Sequence, residues 1–128
     1  MNESGENSWI TSKIIGAAMR VHSALGPGLL ESSYLACLYY ELKNIEKLKV
    51  EKEVSMPLVY AEVNLDVGYR MDLLIEDRVV VELKAVDALN NVHLAQILTY
   101  MKLGGFKTGL LINFNVAMLK NGIRRVIN

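Results

Sequence analysis

The chain has 128 residues, enough for one domain with a proper core. Just over half of them are apolar (52%), which excludes a disordered or low-complexity chain. Because 14 Lys and Arg balance 14 Asp and Glu, no basic excess announces a duplex-binding surface, although local clusters leave a nucleic-acid partner open. Residues 1–7 are polar and expected to fray. From Asn7 or Ser8, either of which can cap a helix, Ile10, Ile14, Ala17, Ala18, Val21 and Leu25 recur at helical spacing. Gly26-Pro27-Gly28 breaks that helix, and a second is expected over Leu29 to Lys43, with Leu35, Leu38 and Leu42 along one stripe. Lys49 to Met56 alternates like a strand until Pro57, and Val59-Tyr60 with Val63 to Val67 read as a hairpin around Ala61-Glu62. After a central hairpin, Val86 to Asn91 is a connector able to cap a helix. Leu94, Ile97, Leu98 and Met101 then share one face before Gly104-Gly105. Thr108 to Phe114 reads as a buried central strand, and Met118 to Ile127 is too short to assign. The order describes a single α/β domain over residues 1–128, with no repeat or linker.

No stretch is long and apolar enough to span a membrane, and no signal segment opens the chain. The lone Cys37 has no partner for an internal disulfide, which suits a reducing cytoplasm. Its neighbours in Leu35-Ala-Cys-Leu-Tyr-Tyr40 are not basic, so it is expected as a free buried thiol and not a nucleophile.

The most informative segment is Arg70-Met-Asp-Leu-Leu-Ile-Glu-Asp-Arg-Val-Val-Val-Glu-Leu-Lys-Ala85, two alternating runs around Glu76-Asp77-Arg78. A turn centred on Asp77 sets Asp72 opposite Glu82, with Lys84 two residues further on the same face beside Leu74 and Val80. The other face, Met71, Leu73 and Ile75 against Val79, Val81, Leu83 and Ala85, is continuously apolar and must be buried. Opposed Cβ atoms lie roughly 4.5–5.5 Å apart, close enough for two carboxylates to share a divalent ion. A solvated sheet face carries the same residue types, and for the hairpin alone that is the commoner explanation. Two like charges placed opposite each other nevertheless destabilise a hairpin unless a cation lies between them.

Glu31 falls on the stripe of Tyr34, Leu35, Leu38 and Leu42, the face expected to point inward, where a carboxylate needs a partner or a metal. At a first helical turn it can equally stay in solvent, favoured by the helix dipole. Gln96 and Tyr100, four residues apart, lie beside the apolar stripe of their helix and can overhang the face that holds Asp72 and Glu82. His93 lacks a second His at a zinc spacing and reads as a boundary residue.

Taken in order, Glu31, Asp72, Glu82-Leu-Lys84 and Gln96-x-x-x-Tyr100 resemble the PD-(D/E)xK nuclease superfamily. Gly28-Leu-Leu-Glu31-Ser-Ser-Tyr34 further resembles the family named for its Gly-x-x-Glu-x-x-Tyr motif, which is grouped with that superfamily. The resemblance runs over nearly the whole chain, with Met71 standing where a proline often precedes the aspartate. It implies a restriction-endonuclease-like fold, a mixed β-sheet flanked by helices, and a metal-dependent nuclease that hydrolyses phosphodiester bonds of nucleic acid, DNA first. Asp72 and Glu82, helped by the Leu83 carbonyl and by Glu31, directly or through water, are expected to hold Mg²⁺ or Mn²⁺, which suit hard oxygens. Lys84 is expected to orient the attacking water or offset phosphoryl charge, Gln96 to position water or phosphate, and Tyr100 to support Gln96. The alternative is a catalytically silent nuclease-like fold that binds protein or nucleic acid. A homodimer fits either reading.

Overall fold

The computed structural model describes residues 3–128, with side chains from Gly5 onward. Helices α1 (Glu3–Leu25), α2 (Glu31–Tyr40) and α3 (Asn91–Gly104) flank a five-stranded sheet of order β1-β4-β5-β6-β7. Its strands are β1 (Val50–Ser55), β4 (Arg70–Ile75), β5 (Val79–Lys84), β6 (Thr108–Asn113) and β7 (Ile123–Ile127). A separate hairpin, β2 (Leu58–Tyr60) with β3 (Val63–Leu65), interrupts the chain between β1 and β4. Among the described residues, only the β5–β6 pair is parallel, joined by the α3 crossover. This is the mixed sheet flanked by helices that a restriction-endonuclease-like fold requires. Among the described residues, no helix is long and apolar enough to cross a membrane.

The middle of the sheet is buried on both faces, which explains why β5 and β6 are apolar at nearly every position. Leu73, Ile75, Val79, Val81 and Leu83 face α1 and α2, meeting Ile10, Ile14, Tyr34 and Leu38. Leu74, Val80 and Leu111 face α3 and its Ile97 and Met101. Gly109 on β6 permits that approach, since a Cβ there would come within 2.7 Å of the Met101 sulfur. Met71, assigned by alternation to the first face, packs instead in the second core with Met56. Glu53 on β1 has a left-handed backbone (φ 54°), and the β1–β4 pairing skips it and resumes at Val54↔Met71.

Three local expectations shift. Helix α1 starts at Glu3, not at a cap on Asn7 or Ser8, and residues 1–2 of the expected frayed segment lie outside the described residues. Asn7 turns inward, and its side-chain amide donates to the Thr108 hydroxyl at 2.8 Å, so a residue type typical of caps serves here as a buried tie to β6. Helix α2 begins at Glu31 and not Leu29, and a π-helical turn, Glu41–Ile45, continues it. The unassigned Met118–Ile127 segment splits into a 3₁₀ turn, Leu119–Gly122, and edge strand β7, each too short to show a period.

The turn before α2 explains two positions of the Gly-x-x-Glu-x-x-Tyr motif. Gly26 and Gly28 hold left-handed conformations (φ 67° and 100°) that other residues adopt only with strain. The fully buried Tyr34 closes the turn, its hydroxyl donating to the Gly26 carbonyl at 2.6 Å and accepting from the Leu29 N–H at 3.1 Å. The Tyr34 ring stacks on Phe114, just past β6, with centroids 4.6 Å apart. Tyr34→Phe keeps the stack and leaves two backbone groups unpaired, at a cost of about 1–3 kcal/mol. Urea unfolding should show a lower midpoint at unchanged slope; an unchanged midpoint would show that the hydroxyl contributes nothing.

Candidate metal and phosphodiester site

Strands β4 and β5 leave a turn with left-handed Glu76 and Asp77 (φ 54° and 55°), which suits the right-handed twist of a hairpin. The Arg78 N–H donates to the Ile75 carbonyl across it, and Lys49 holds Asp77 from outside at 2.7 Å. From there the ladder runs Ile75↔Val79, Leu74↔Val80, Leu73↔Val81 and then stops. At the next step, where Asp72 opposes Glu82, side chains replace the backbone ladder. The Asp72 N–H donates to Glu82 Oε2 at 2.7 Å, and the Leu83 N–H donates to Asp72 Oδ2 at 2.8 Å. Each carboxylate thus spans to the other strand through one oxygen. Among the described residues, the second oxygen of each takes no protein hydrogen bond.

Lys84 follows on the same face, and helix α3 overhangs it. The Lys84 ammonium donates to Gln96 Oε1 at 3.0 Å, and Gln96 Nε2 donates to the Tyr100 hydroxyl at 3.2 Å. Helix α3 is fixed at this end by a capping box: the Asn90 side chain accepts from the Val92 and His93 N–H groups, and His93 Nδ1 accepts from the Asn90 N–H. His93 is therefore a helix cap.

Burial governs the electrostatics. Glu82 is only 3% exposed, and desolvation with the Asp72 charge pushes its carboxyl up to about 8. Asp72 is also raised, first by burial, with the Leu83 N–H opposing and Glu31 and Glu53 adding repulsion. Burial and the Glu82 charge raise the Tyr100 phenol as well.

The structure brings Asp72, Glu82, Lys84, Gln96 and Tyr100 together. Glu31 differs from the expectation of an inward face: it is exposed at the first position of α2, in the layer on the other side of the sheet. A carboxylate at a helix N-terminus is favoured by the dipole and needs no burial. Its charge still reaches the end of the sheet, where it repels both Asp72 and Glu82.

Two further residues shape the site without standing out in the sequence. Buried Asn113, paired in register with Lys84, accepts from the Val86 N–H at 3.1 Å and donates to the Val86 carbonyl at 3.0 Å. With the Phe114 N–H donating to the Lys84 carbonyl, it fixes the chain as β5 ends. The one polar residue inside the apolar run Thr108–Phe114 after Thr108 itself was the available signal. Tyr69 leans on Tyr100 with ring centroids 6.3 Å apart, and no periodicity marks it.

The donors fit a hard divalent cation. Among the described residues, no three Asp, Glu, His or Cys side chains converge, so a zinc centre built on side chains is not offered. Two carboxylates with a free oxygen each suit a cation that completes its shell with backbone oxygen and water, as Mg²⁺ does. Because the folded carboxyl of Glu82 titrates near 8 and its ordinary value is 4.5, the folded state binds the extra proton between those limits. Stability conferred at low pH is lost as pH rises through about 8. Metal-free protein should therefore lose stability from pH 5 to 8.5 in urea titrations, and Glu82→Gln should flatten that fall. An equal fall in the variant would mean that Glu82 is not its source.

Among the comparisons with known proteins, a family model described as the PD-(D/E)XK nuclease superfamily matches residues 8–126. No curated protein matches the chain, and no solved structure does. The family match runs from within α1 into β7, with the Asp72, Glu82-x-Lys84 and Gln96 positions inside it. By that match, over a mixed five-stranded sheet forked at two acidic residues, the chain belongs to the PD-(D/E)XK nuclease superfamily.

Proposed function

We propose that this protein is a divalent-metal-dependent nuclease that hydrolyses phosphodiester bonds, with DNA the substrate to test first. The observation that carries the reading is the crossed pair of hydrogen bonds that sets Asp72 and Glu82 side by side with one free oxygen each. Asp72, Glu82 and the Leu83 carbonyl would hold Mg²⁺ or Mn²⁺, with Glu31 acting through water from the rim. When bound, the ion supplies charge neutralisation at the phosphoryl oxygens and lowers the pKa of water.

The protein's own residues do the rest. Lys84 places a positive charge beside the acidic pair, where it can orient the attacking water or offset charge on the pentavalent centre. Gln96 holds the Lys84 ammonium through its carbonyl oxygen, so the ammonium reaches the phosphoryl centre already positioned. Tyr100 fixes the Gln96 amide and closes the wall on the α3 side. The Gly28-x-x-Glu31-x-x-Tyr34 segment supports the narrower assignment to the family of that motif, since Tyr34 ties the turn from which Glu31 opens α2.

Lys84→Ala should lower cleavage of labelled DNA by at least about 10²-fold while leaving Mn²⁺ affinity within a few fold. Asp72→Asn should lose both. Mn²⁺ titration into wild type and both variants, with cleavage of single-stranded, duplex and branched DNA and of RNA alongside, separates the two roles. Full cleavage by Lys84→Ala would refute the role of Lys84. Metal-independent wild type that cuts nothing would point instead to a nuclease-like fold used for binding.

A further inference from the structure

The β2–β3 hairpin leaves the main sheet after β1, and the chain returns to β4 two residues before Asp72. Its pairs Leu58↔Leu65 and Tyr60↔Val63 put four apolar side chains on one face. Tyr60 is 72% exposed, and Val63 and Leu65 are exposed with it. A two-stranded hairpin is marginal on its own, so apolar side chains held outward there are poorly explained by stability. Tyr69, immediately before β4, is 44% exposed and leans on Tyr100 with the rings tilted by 57°. Tyr100 is bonded to Gln96, and Gln96 to Lys84. The exposed Tyr69 ring is thus linked through Tyr100 to the hydrogen-bonded chain that ends at Lys84.

The charge at this mouth selects among occupants. Duplex DNA is held chiefly by Lys and Arg on its phosphates. Here the charges of Glu31 and Glu53 repel at Asp72 while Lys84 attracts, so the field at the site does not favour a polyanion held by phosphate contacts alone. An unpaired base presents a π-face that stacks on tyrosine without any cation, whereas a paired base keeps its faces inside the duplex. We infer that Tyr69, with Tyr60 beyond it on the hairpin, is a stacking platform for unpaired bases, so that the site takes single-stranded or flap-like nucleic acid in preference to continuous duplex. The inference deepens the nuclease reading and rests on it for the identity of the polymer.

Fluorescence anisotropy without added metal tests it apart from catalysis. Probes are a labelled 12-nucleotide oligothymidylate, an abasic strand with the same phosphates, and a 12-base-pair duplex. The oligothymidylate should bind at least about tenfold more tightly than the other two, in line with one to two base stacks. Tyr69→Leu should lose most of that preference with abasic binding unchanged, Tyr69→Phe should retain it, and the more exposed Tyr60→Ser should lose a few fold. Thermal melting checks that each variant folds. Equal binding of thymidylate and abasic strands, tighter duplex binding, no effect of Tyr69→Leu, or no binding at all would each overturn the platform. So would a dimer by light scattering that Tyr60→Ser dissociates, because the hairpin face would then be a self-association surface. Base-dependent binding by a protein that cleaves nothing would defeat the nuclease reading alone; cleavage indifferent to bases would defeat the platform alone.

Discussion

The site depends on one exchange: two side-chain carboxylates replace the backbone ladder where β4 and β5 part. In a regular antiparallel pair with Ile75 and Val79 hydrogen-bonded, alternation would send the Leu83 N–H to the Met71 carbonyl and turn the Asp72 N–H toward β1. Here the Asp72 N–H goes to the Glu82 carboxylate and the Leu83 N–H to the Asp72 carboxylate. The exchange satisfies the buried donors, so the fork does not leave orphaned N–H groups. It also holds two acids in a desolvated gap, where burial and mutual repulsion raise both. That strain is relieved when Glu82 is protonated, and on the nuclease reading also when a cation lies beside the pair. On the other side of Asp72 the sheet is also interrupted, by left-handed Glu53. Asp72 is therefore spared a regular ladder on both sides, and its position is set by its side chain.

Why the exchange falls here follows from the layers. Helices α1 and α2 seal one face of the sheet and α3 the other, so the middle of β5 has no room for a charge. Charged chemistry is confined to the end of the sheet, where β5 gives way to the connector and α3 begins. Asn113 and the capping box at Asn90 spend their hydrogen bonds at that same end, fixing the exit of β5 and the start of α3. Lys84 and Gln96 consequently meet across a gap whose two sides are both rigid. This is how a short Glu-x-Lys element, common by chance, becomes a defined geometry.

Much of this was legible because the hairpin is short and strongly patterned. With the turn placed at Asp77, the period of two alone sets Asp72 against Glu82, and the observed register from Ile75↔Val79 to Leu73↔Val81 leads there. The stripe on α3 likewise oriented Gln96 and Tyr100 toward the same face, because four-residue spacing is a property of any helix. What escaped was set by contacts distant in sequence. Nothing local tells that Asn7 bonds Thr108, or that Met71 leaves its alternation beyond the skip at Glu53. The inward reading of Glu31 failed because α2 begins at that residue: an amphipathic stripe predicts burial for helical interiors, and a first-turn residue still faces solvent. Tyr34 carried the complementary lesson, since its ring counts as core in any pattern while its hydroxyl ties the turn of the motif.

The zero net charge of the chain, unpromising for a nuclease, becomes intelligible at the scale of the site. The charges of Glu31 and Glu53 act on Asp72 beside Glu82 at the end of the sheet, with Lys84 as the local counterweight. On the nuclease reading, that field weakens the hold on substrate, and a divalent ion that neutralises the acidic pair strengthens it. Cation and substrate then favour each other's binding, and by linkage the coupling must be reciprocal. A protein arranged this way does not need a basic surface that would hold any duplex it met. On that reading, the metal strengthens an affinity for nucleic acid that contacts at the mouth supply.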